Sequence, residues 1–121
     1  MADDHEAVRK GVCHILSSHL DIHVCGEAKD GQEAIDKALE LRPDLIILDI
    51  TMPVRSGMEA AAELRKSLPH VPILLLSMHE GPLVIEEAKR IGVHGYVSKA
   101  QAGTTLLAAV DALLCNQTFF P

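Results

Sequence analysis

Leu45-Ile46-Ile47-Leu48-Asp49-Ile50-Thr51-Met52-Pro53 opens with four consecutive apolar residues. A run of that length without polar interruption reads as a strand buried on both faces. Asp49 stands where the strand ends, and Pro53 turns the chain into a loop. In an open parallel α/β sheet, ligands and chemistry sit outside the carboxyl ends of the strands. Asp49 is therefore placed like a working residue. The plain alternative is an Asp that merely starts a strand-to-helix turn, so the other strand ends decide.

Working outward, hydrophobic periodicity alternates between helix and strand. Val8, Val12, Ile15 and Leu16 share one helical face. Ile22, Val24 and Gly26 alternate as a short strand. Asp30 with Glu33 forms a capping pattern before the apolar stripe Ala34, Ile35, Ala38, Leu39 and Leu41, and Arg42-Pro43 stops that helix. Ser56 with Glu59 repeats the signal for a helix ending before Pro69. Val71 to Ser77 is a strand with its hydroxyl at the carboxyl end. Val84, Ile85, Ala88 and Ile91 mark a helix closed by Gly92. Val93 to Ser98 is a strand leading to Lys99, and Leu106, Leu107, Val110, Leu113 and Leu114 mark the last helix. Such alternation implies parallel strands joined by right-handed crossovers, an α/β class.

The chain's 121 residues suit one domain, and with 48% apolar but only 2% aromatic residues the core must be aliphatic. The formal charge of −6 argues against these residues gripping nucleic acid by themselves. No apolar run reaches membrane-spanning length, and the early charges Asp3, Asp4 and Glu6 do not suit a signal peptide. Cys13, Cys25 and Cys115 lack tight spacing and read as reduced thiols of a cytoplasmic protein. The seven histidines lack ligand spacing for a transition metal.

Asp3, Asp4, Asp49, Ser77 and Lys99 all fall at strand ends and converge on one edge of the sheet. Packed carboxylates repel unless a cation joins them. Oxygen ligands without Cys or His favour a hard ion, and Mg²⁺ is usually held by one or two carboxylates plus waters and phosphate oxygens. A phosphoryl group at that ion is open to attack by Asp49, with Lys99 neutralising its oxygens and Ser77 donating a hydrogen bond.

Asp3-Asp4-His5, Leu48-Asp49-Ile50-Thr51-Met52-Pro53, Ser56-Gly57-Met58-Glu59-Ala60, Leu76-Ser77 and Gly95-Tyr96-Val97-Ser98-Lys99 resemble the receiver domain of two-component response regulators. The acidic pair followed by His5, and the stretch Gly95 to Ala100, are similar to the NarL/FixJ (LuxR-type) branch. The resemblance implies a flavodoxin-like doubly wound parallel sheet of order 2-1-3-4-5, with residues 1–115 as the receiver domain. Residues 116–121 resemble the start of a linker to an output domain outside this chain. The resemblance further implies that Asp49 accepts a phosphoryl group from a sensor histidine kinase. Asp4 binds Mg²⁺ directly, Asp3 helps through water, and the Thr51 backbone carbonyl completes the protein ligands. Lys99 contacts the phosphoryl group, Ser77 is the switch hydroxyl and Tyr96 the switch aromatic. The side chains of Thr51 and His79 tune autodephosphorylation. Relatives of this branch often pair through the first and fifth helices, so a homodimer is expected. DNA is expected only through a C-terminal helix-turn-helix. Such a protein modifies itself and is not a turnover enzyme.

The front departs from the pattern. A central strand of about 5–6 residues should precede the acidic pair, but only Met1 and Ala2 do. The first strand is thus expected to be largely missing, through truncation, with strand exchange, dimerisation or a closed-up four-stranded sheet as consequences. Ala100 stands where many receivers carry a cis proline, so a loop adjustment is expected there. Two other chemistries fit less well. A haloacid-dehalogenase-like phosphatase needs a second Asp where Thr51 stands. A flavodoxin-like cofactor binder needs a phosphate loop where Asp3-Asp4-His5-Glu6 would repel phosphate. The remaining alternative is a degenerate receiver acting only as a protein-interaction module.

Overall fold

The computed structural model describes residues 1–19, 21–78 and 81–121. Strands β1 (Ile46–Asp49), β2 (Ile73–Ser77) and β3 (Gly95–Ser98) form a parallel sheet in the order β1-β2-β3. Every residue in these strands is buried, because helices cover both faces, and this is why the strands read as unbroken apolar runs. Helices α2 (Gly31–Leu41), α3 (Gly57–Ser67) and α4 (Pro82–Ile91) line one face and close an aliphatic core around Ala34, Ile35, Leu48, Leu64 and Leu75. Helices α1 (Glu6–Ser17) and α5 (Ala102–Leu114) cover the other face around Leu16, Ile47, Leu74, Leu106 and Val110.

The punctuation follows local chemistry. Asp30 caps α2 by accepting from the Glu33 N–H at 2.7 Å. Arg42 takes the left-handed conformation (φ 47°) at its end, before Pro43. Ser56 and Glu59 form a reciprocal capping box on α3. Gly92, at φ 98°, ends α4 where a side chain would be strained. Ala100 lies in a single 3₁₀ turn, Lys99–Gln101, and no peptide bond among the described residues is cis.

At the front of the sheet a stub of strand at Ala2 lies between two neighbours. Ala2 bridges both Ala28 and Leu48 in parallel register. Its N–H donates to the Ile47 carbonyl and its carbonyl accepts from the Asp49 N–H, both at 2.9 Å. On the other side the Ala28 N–H reaches the Met1 carbonyl and the Asp3 N–H reaches the Ala28 carbonyl, both at 3.0 Å. The neighbours have therefore not closed up, and the expected order survives as one residue between two walls. The expected strand at Ile22, Val24 and Gly26 keeps its alternation, with His23 and Cys25 exposed between them, but forms no ladder before Ala28. Among the described residues it meets the sheet only through the Ala2–Ala28 bridge.

The last residues do not hang free. The Tyr96 N–H donates to Phe119 O at 2.8 Å and the Phe119 N–H to His94 O at 3.0 Å. The tail thus covers the outer edge of β3, and the Lys89 ammonium lies 5.0 Å from the centre of the Phe120 ring.

Candidate functional site

Parallel register brings the carboxyl ends of the strands level: Asp49 pairs with Leu76, and Ser77 with Ser98, the residue before Lys99. The stub adds Asp3 to the same edge. Lys99 Nζ lies 2.9 Å from Asp3 Oδ2 and 3.0 Å from Asp49 Oδ2. These side chains are 10%, 0% and 4% exposed, so one ammonium bridges two buried carboxylates. The Thr51 N–H donates to the other Asp49 oxygen at 3.3 Å.

Burial pushes the Asp49 carboxyl above its ordinary value, and the charge on Asp3 adds to this. The Lys99 hydrogen bond and the Thr51 N–H offset it only in part. For Lys99, burial alone would lower the pKa. Its hydrogen bonds and charge attraction to Asp3 and Asp49 outweigh burial, so the ammonium is held on more tightly than usual. The site is nevertheless short of positive charge, because Asp3, Asp4 and Asp49 face one lysine. Asp3 Oδ2 is buried with no hydrogen-bond donor of good geometry among the described residues, apart from its ion pair. Asp3, Asp4 and His5 place ligand atoms within 4.8 Å of one another. A buried carboxylate oxygen with spare acceptor capacity, beside a more open second carboxylate, suits a hard divalent cation with waters.

Local structure explains the placement. Gly57 begins α3 and donates its N–H to the Ile50 carbonyl at 2.8 Å. A Cβ there would lie 2.1 Å from the Asp49 carbonyl oxygen, so only glycine lets α3 approach the back of the site this closely. Between them the chain makes a tight turn in which the Arg55 N–H reaches the Pro53 carbonyl at 2.7 Å and Val54 sits at φ 68°. A β-branched residue in that conformation is strained.

Asp3, Asp49 and Lys99 are thus in direct contact, as expected from their strand ends. Ser77 is buried at the end of β2, and Asp4 is the open member of the acidic pair. The Tyr96 side chain is 2% exposed and packs into the core against α4. The Thr51 side chain is exposed. His79 lies outside the described residues. Sequence reasoning missed the clamp on the stub. Arg9 donates to the Asp3 carbonyl at 2.9 Å and pairs with Glu27 Oε1 at 3.0 Å. The His5 N–H donates to Asp3 Oδ1 at 2.9 Å, and its ring Nδ1 lies 3.2 Å from Asp4 Oδ1. The available signal was opposite charge at Arg9 and Glu27, but they stand eighteen residues apart.

Comparison with known proteins places the chain in a family. The family model described as the response regulator receiver domain matches residues 1–111. The response regulator protein VraR of Staphylococcus saprophyticus is 36% identical over 118 residues, covering 98% of this chain and 56% of the relative. The transcriptional regulatory protein LnrK of Bacillus subtilis is 37% identical over 110 residues, covering 91% and 50%. The chain therefore spans about half the length of these relatives. Among solved structures, a LuxR-family two-component response regulator from Aurantimonas superposes with a TM-score of 0.94 at 31% identity, covering 98% of this chain and 84% of that one. The isolated receiver domain of RcsB from Salmonella enterica superposes with a TM-score of 0.91 at 28% identity, covering 99% and 89%.

Proposed function

The chain belongs to the response-regulator receiver domain family, and from that premise we propose that it is a phosphorylation-dependent switch whose phosphoacceptor is Asp49. The observation that carries this reading is the Lys99 ammonium held between Asp3 and Asp49 at 2.9 and 3.0 Å. A carboxylate oxygen of Asp49 attacks the phosphorus of a phosphohistidine on a sensor kinase. The P–N bond breaks, the imidazole leaves with a proton, and an acyl phosphate forms on Asp49. Lys99 stays beside the new phosphoryl oxygens, and Ser77 offers its hydroxyl to one of them. Asp3, Asp4, Asp49 and the Thr51 carbonyl are the residues that would hold Mg²⁺, which when bound neutralises charge on those oxygens.

The readout is repacking of the face formed by α4, β3 and α5, where the Tyr96 ring is seated, as a local charge change biases a two-state surface. Thr51 and His79 tune hydrolysis of the phosphoryl group. The group is lost from the protein's own side chain, so the chain is a switch and not a turnover enzyme. In this reading residues 1–115 form the switch, residues 116–121 begin a linker, and control of transcription runs through a helix-turn-helix outside this chain. The protein works in the cytoplasm, pairing as a homodimer through α1 and α5. No helix among the described residues is long and apolar enough to cross a membrane.

Intact mass after incubation with Mg²⁺ and a small phosphodonor tests the proposal. One Mg²⁺-dependent phosphoryl adduct that Asp49→Asn abolishes is expected. The competing reading is an interaction module without phosphoryl chemistry. No adduct on a folded protein would establish it instead.

A further inference from the structure

Asp3 is held from several directions at once. Its N–H donates to the Ala28 carbonyl at 3.0 Å, its Oδ1 accepts the His5 N–H at 2.9 Å, and its Oδ2 lies 2.9 Å from the Lys99 ammonium. A further contact comes from helix α1, where the Arg9 guanidinium donates to the Asp3 carbonyl at 2.9 Å. That carbonyl belongs to the peptide unit joining Asp3 to Asp4. The unit is rigid, so turning it swings Asp4 relative to Asp3. The Asp4 side chain is the more open of the two, at 29% exposed, and its ion pair among the described residues is with the His5 ring at 3.2 Å. The separation of the two carboxylates therefore depends on the peptide plane that Arg9 holds.

Arg9 is itself anchored. Its side chain is 16% exposed, and Nε donates to Glu27 Oε1 at 3.0 Å while Nη1 serves the carbonyl. A guanidinium is a planar fork, so two acceptors on different nitrogens fix its orientation. Glu27 is fixed in turn, because its carbonyl accepts from the Lys37 ammonium of α2. The next residue, Ala28, accepts the Asp3 N–H. The contacts form a ring through Asp3, Ala28, Glu27 and Arg9, and a shift of the Asp3–Asp4 peptide breaks one of its hydrogen bonds.

Charge alone predicts the opposite role for Arg9. A guanidinium beside a carboxylate pair weakens the field that draws a divalent cation. Were Arg9 to act through its charge, removing it would tighten cation binding. Were it only a prop for the fold, removing it would lower the Tm and leave affinity alone. Holding the peptide gives the third sign, because outer contacts that orient ligands are worth about ten- to a hundredfold in metal affinity.

We propose that Arg9 is a positioning residue for the acidic pair: its fork, seated on Glu27, sets the Asp3–Asp4 peptide so that both carboxylates serve one hard divalent cation. The inference rests on the reading of Asp3 and Asp4 as Mg²⁺-binding residues under the proposed function, and not on phosphoryl transfer to Asp49.

The probe is Mn²⁺, which suits the same oxygen ligands as Mg²⁺ and whose free form is counted by electron paramagnetic resonance. The native chain and its variants are titrated without phosphodonor, below the Tm found for each by circular dichroism, and Mg²⁺ then displaces the bound Mn²⁺. Arg9→Met keeps the stem and loses both donors, and should raise the Kd about tenfold. Arg9→Lys keeps the charge but cannot serve Glu27 and the carbonyl in one plane, and should raise it about threefold. Glu27→Met should weaken binding as well, and the two changes together should fall short of the product of their separate effects, since both act through one contact. An unchanged or lower Kd in Arg9→Met overturns the proposal, as do fully multiplicative effects or a native chain that binds neither ion. Where Arg9→Met fails to fold, Arg9→Lys decides, and a native Kd in that variant overturns the proposal. A chain that passes these tests yet forms no adduct at Asp49 refutes the phosphoryl reading and leaves the role of Arg9 standing.

Discussion

Replacing Lys99 with Met removes the one ammonium shared by two buried carboxylates while keeping the length of the stem. The contacts are 2.9 Å to Asp3 and 3.0 Å to Asp49. At such distances and an effective dielectric near 20, each attraction is worth about 5 kcal/mol before desolvation is subtracted. Desolvation of the pair was part of the cost of folding, so the net worth of the intact site is much smaller. Deleting one partner is a different matter, because Asp3 and Asp49 stay buried without their counter-charge. Such deletions cost about 3–5 kcal/mol, a large share of the stability of a small domain. Urea melts followed by circular dichroism at pH 7 in EDTA should therefore show Lys99→Met losing about 3–5 kcal/mol.

Acidification should shrink that deficit. Burial already holds the folded-state Asp49 carboxyl above its unfolded value of 3.8, and loss of Lys99 removes what offsets it. The folded protein then binds protons before the unfolded chain does, and the variant gains stability as pH falls toward 3.8. Adding Asp49→Asn to the variant removes one of the stranded charges. The double-mutant cycle should return a coupling of about 1–3 kcal/mol. A cost below about 1 kcal/mol with no coupling would show that the three charges are not held together as described.

Mg²⁺ should raise the Tm of the native chain, corresponding to about 2.7 kcal/mol at one hundred times its Kd, and the shift in a thermal-melt titration should vanish in Asp3→Asn. Gly57→Ala should cost about 1–3 kcal/mol by overpacking in urea melts and slow phosphoryl uptake by intact mass, since the new methyl meets the Asp49 carbonyl. His94 accepts the Ile73 N–H on Nδ1 at 3.1 Å, and burial followed by the charge of Arg65 lowers its pKa below 6.5. The unfolded imidazole takes its proton first, so stability should fall as pH drops through 6.5, and His94→Asn, which keeps an acceptor, should flatten that slope in urea melts between pH 7.5 and 5.5.

The sequence exposed those parts of the fold whose cause is local. Ile46 to Asp49 and Ile73 to Ser77 read as strands because burial on both faces admits only apolar residues up to the working end. Asp30 and Ser56 announced their helices because a capping bond spans three residues. The contact of Lys99 with Asp49 was legible as well, since parallel strands bring their ends to one edge. The front was not fully legible. The alternation of Ile22, Val24 and Gly26 predicted a strand, but among the described residues that segment forms no ladder. Whether Asp3 would stay in place depended on one residue: Ala2 bonds to both neighbours, and Arg9 clamps the carbonyl that follows. Such contacts join residues far apart in the chain and leave no periodic trace. The pairing of Phe119 with the edge of β3 escaped for the same reason.

The central claim, that Asp49 is the phosphoacceptor in a site completed by the stub, is tested most directly by locating the phosphoryl group. The chain is incubated with Mg²⁺ and a small phosphodonor, reduced with borohydride, and mapped by peptide mass spectrometry. Borohydride converts an acyl phosphate of aspartate to homoserine. The account predicts homoserine at position 49 and at no other carboxylate, with none formed in Asp3→Asn or in EDTA. Homoserine at another aspartate, or unchanged Asp49 in the folded native chain, would contradict it.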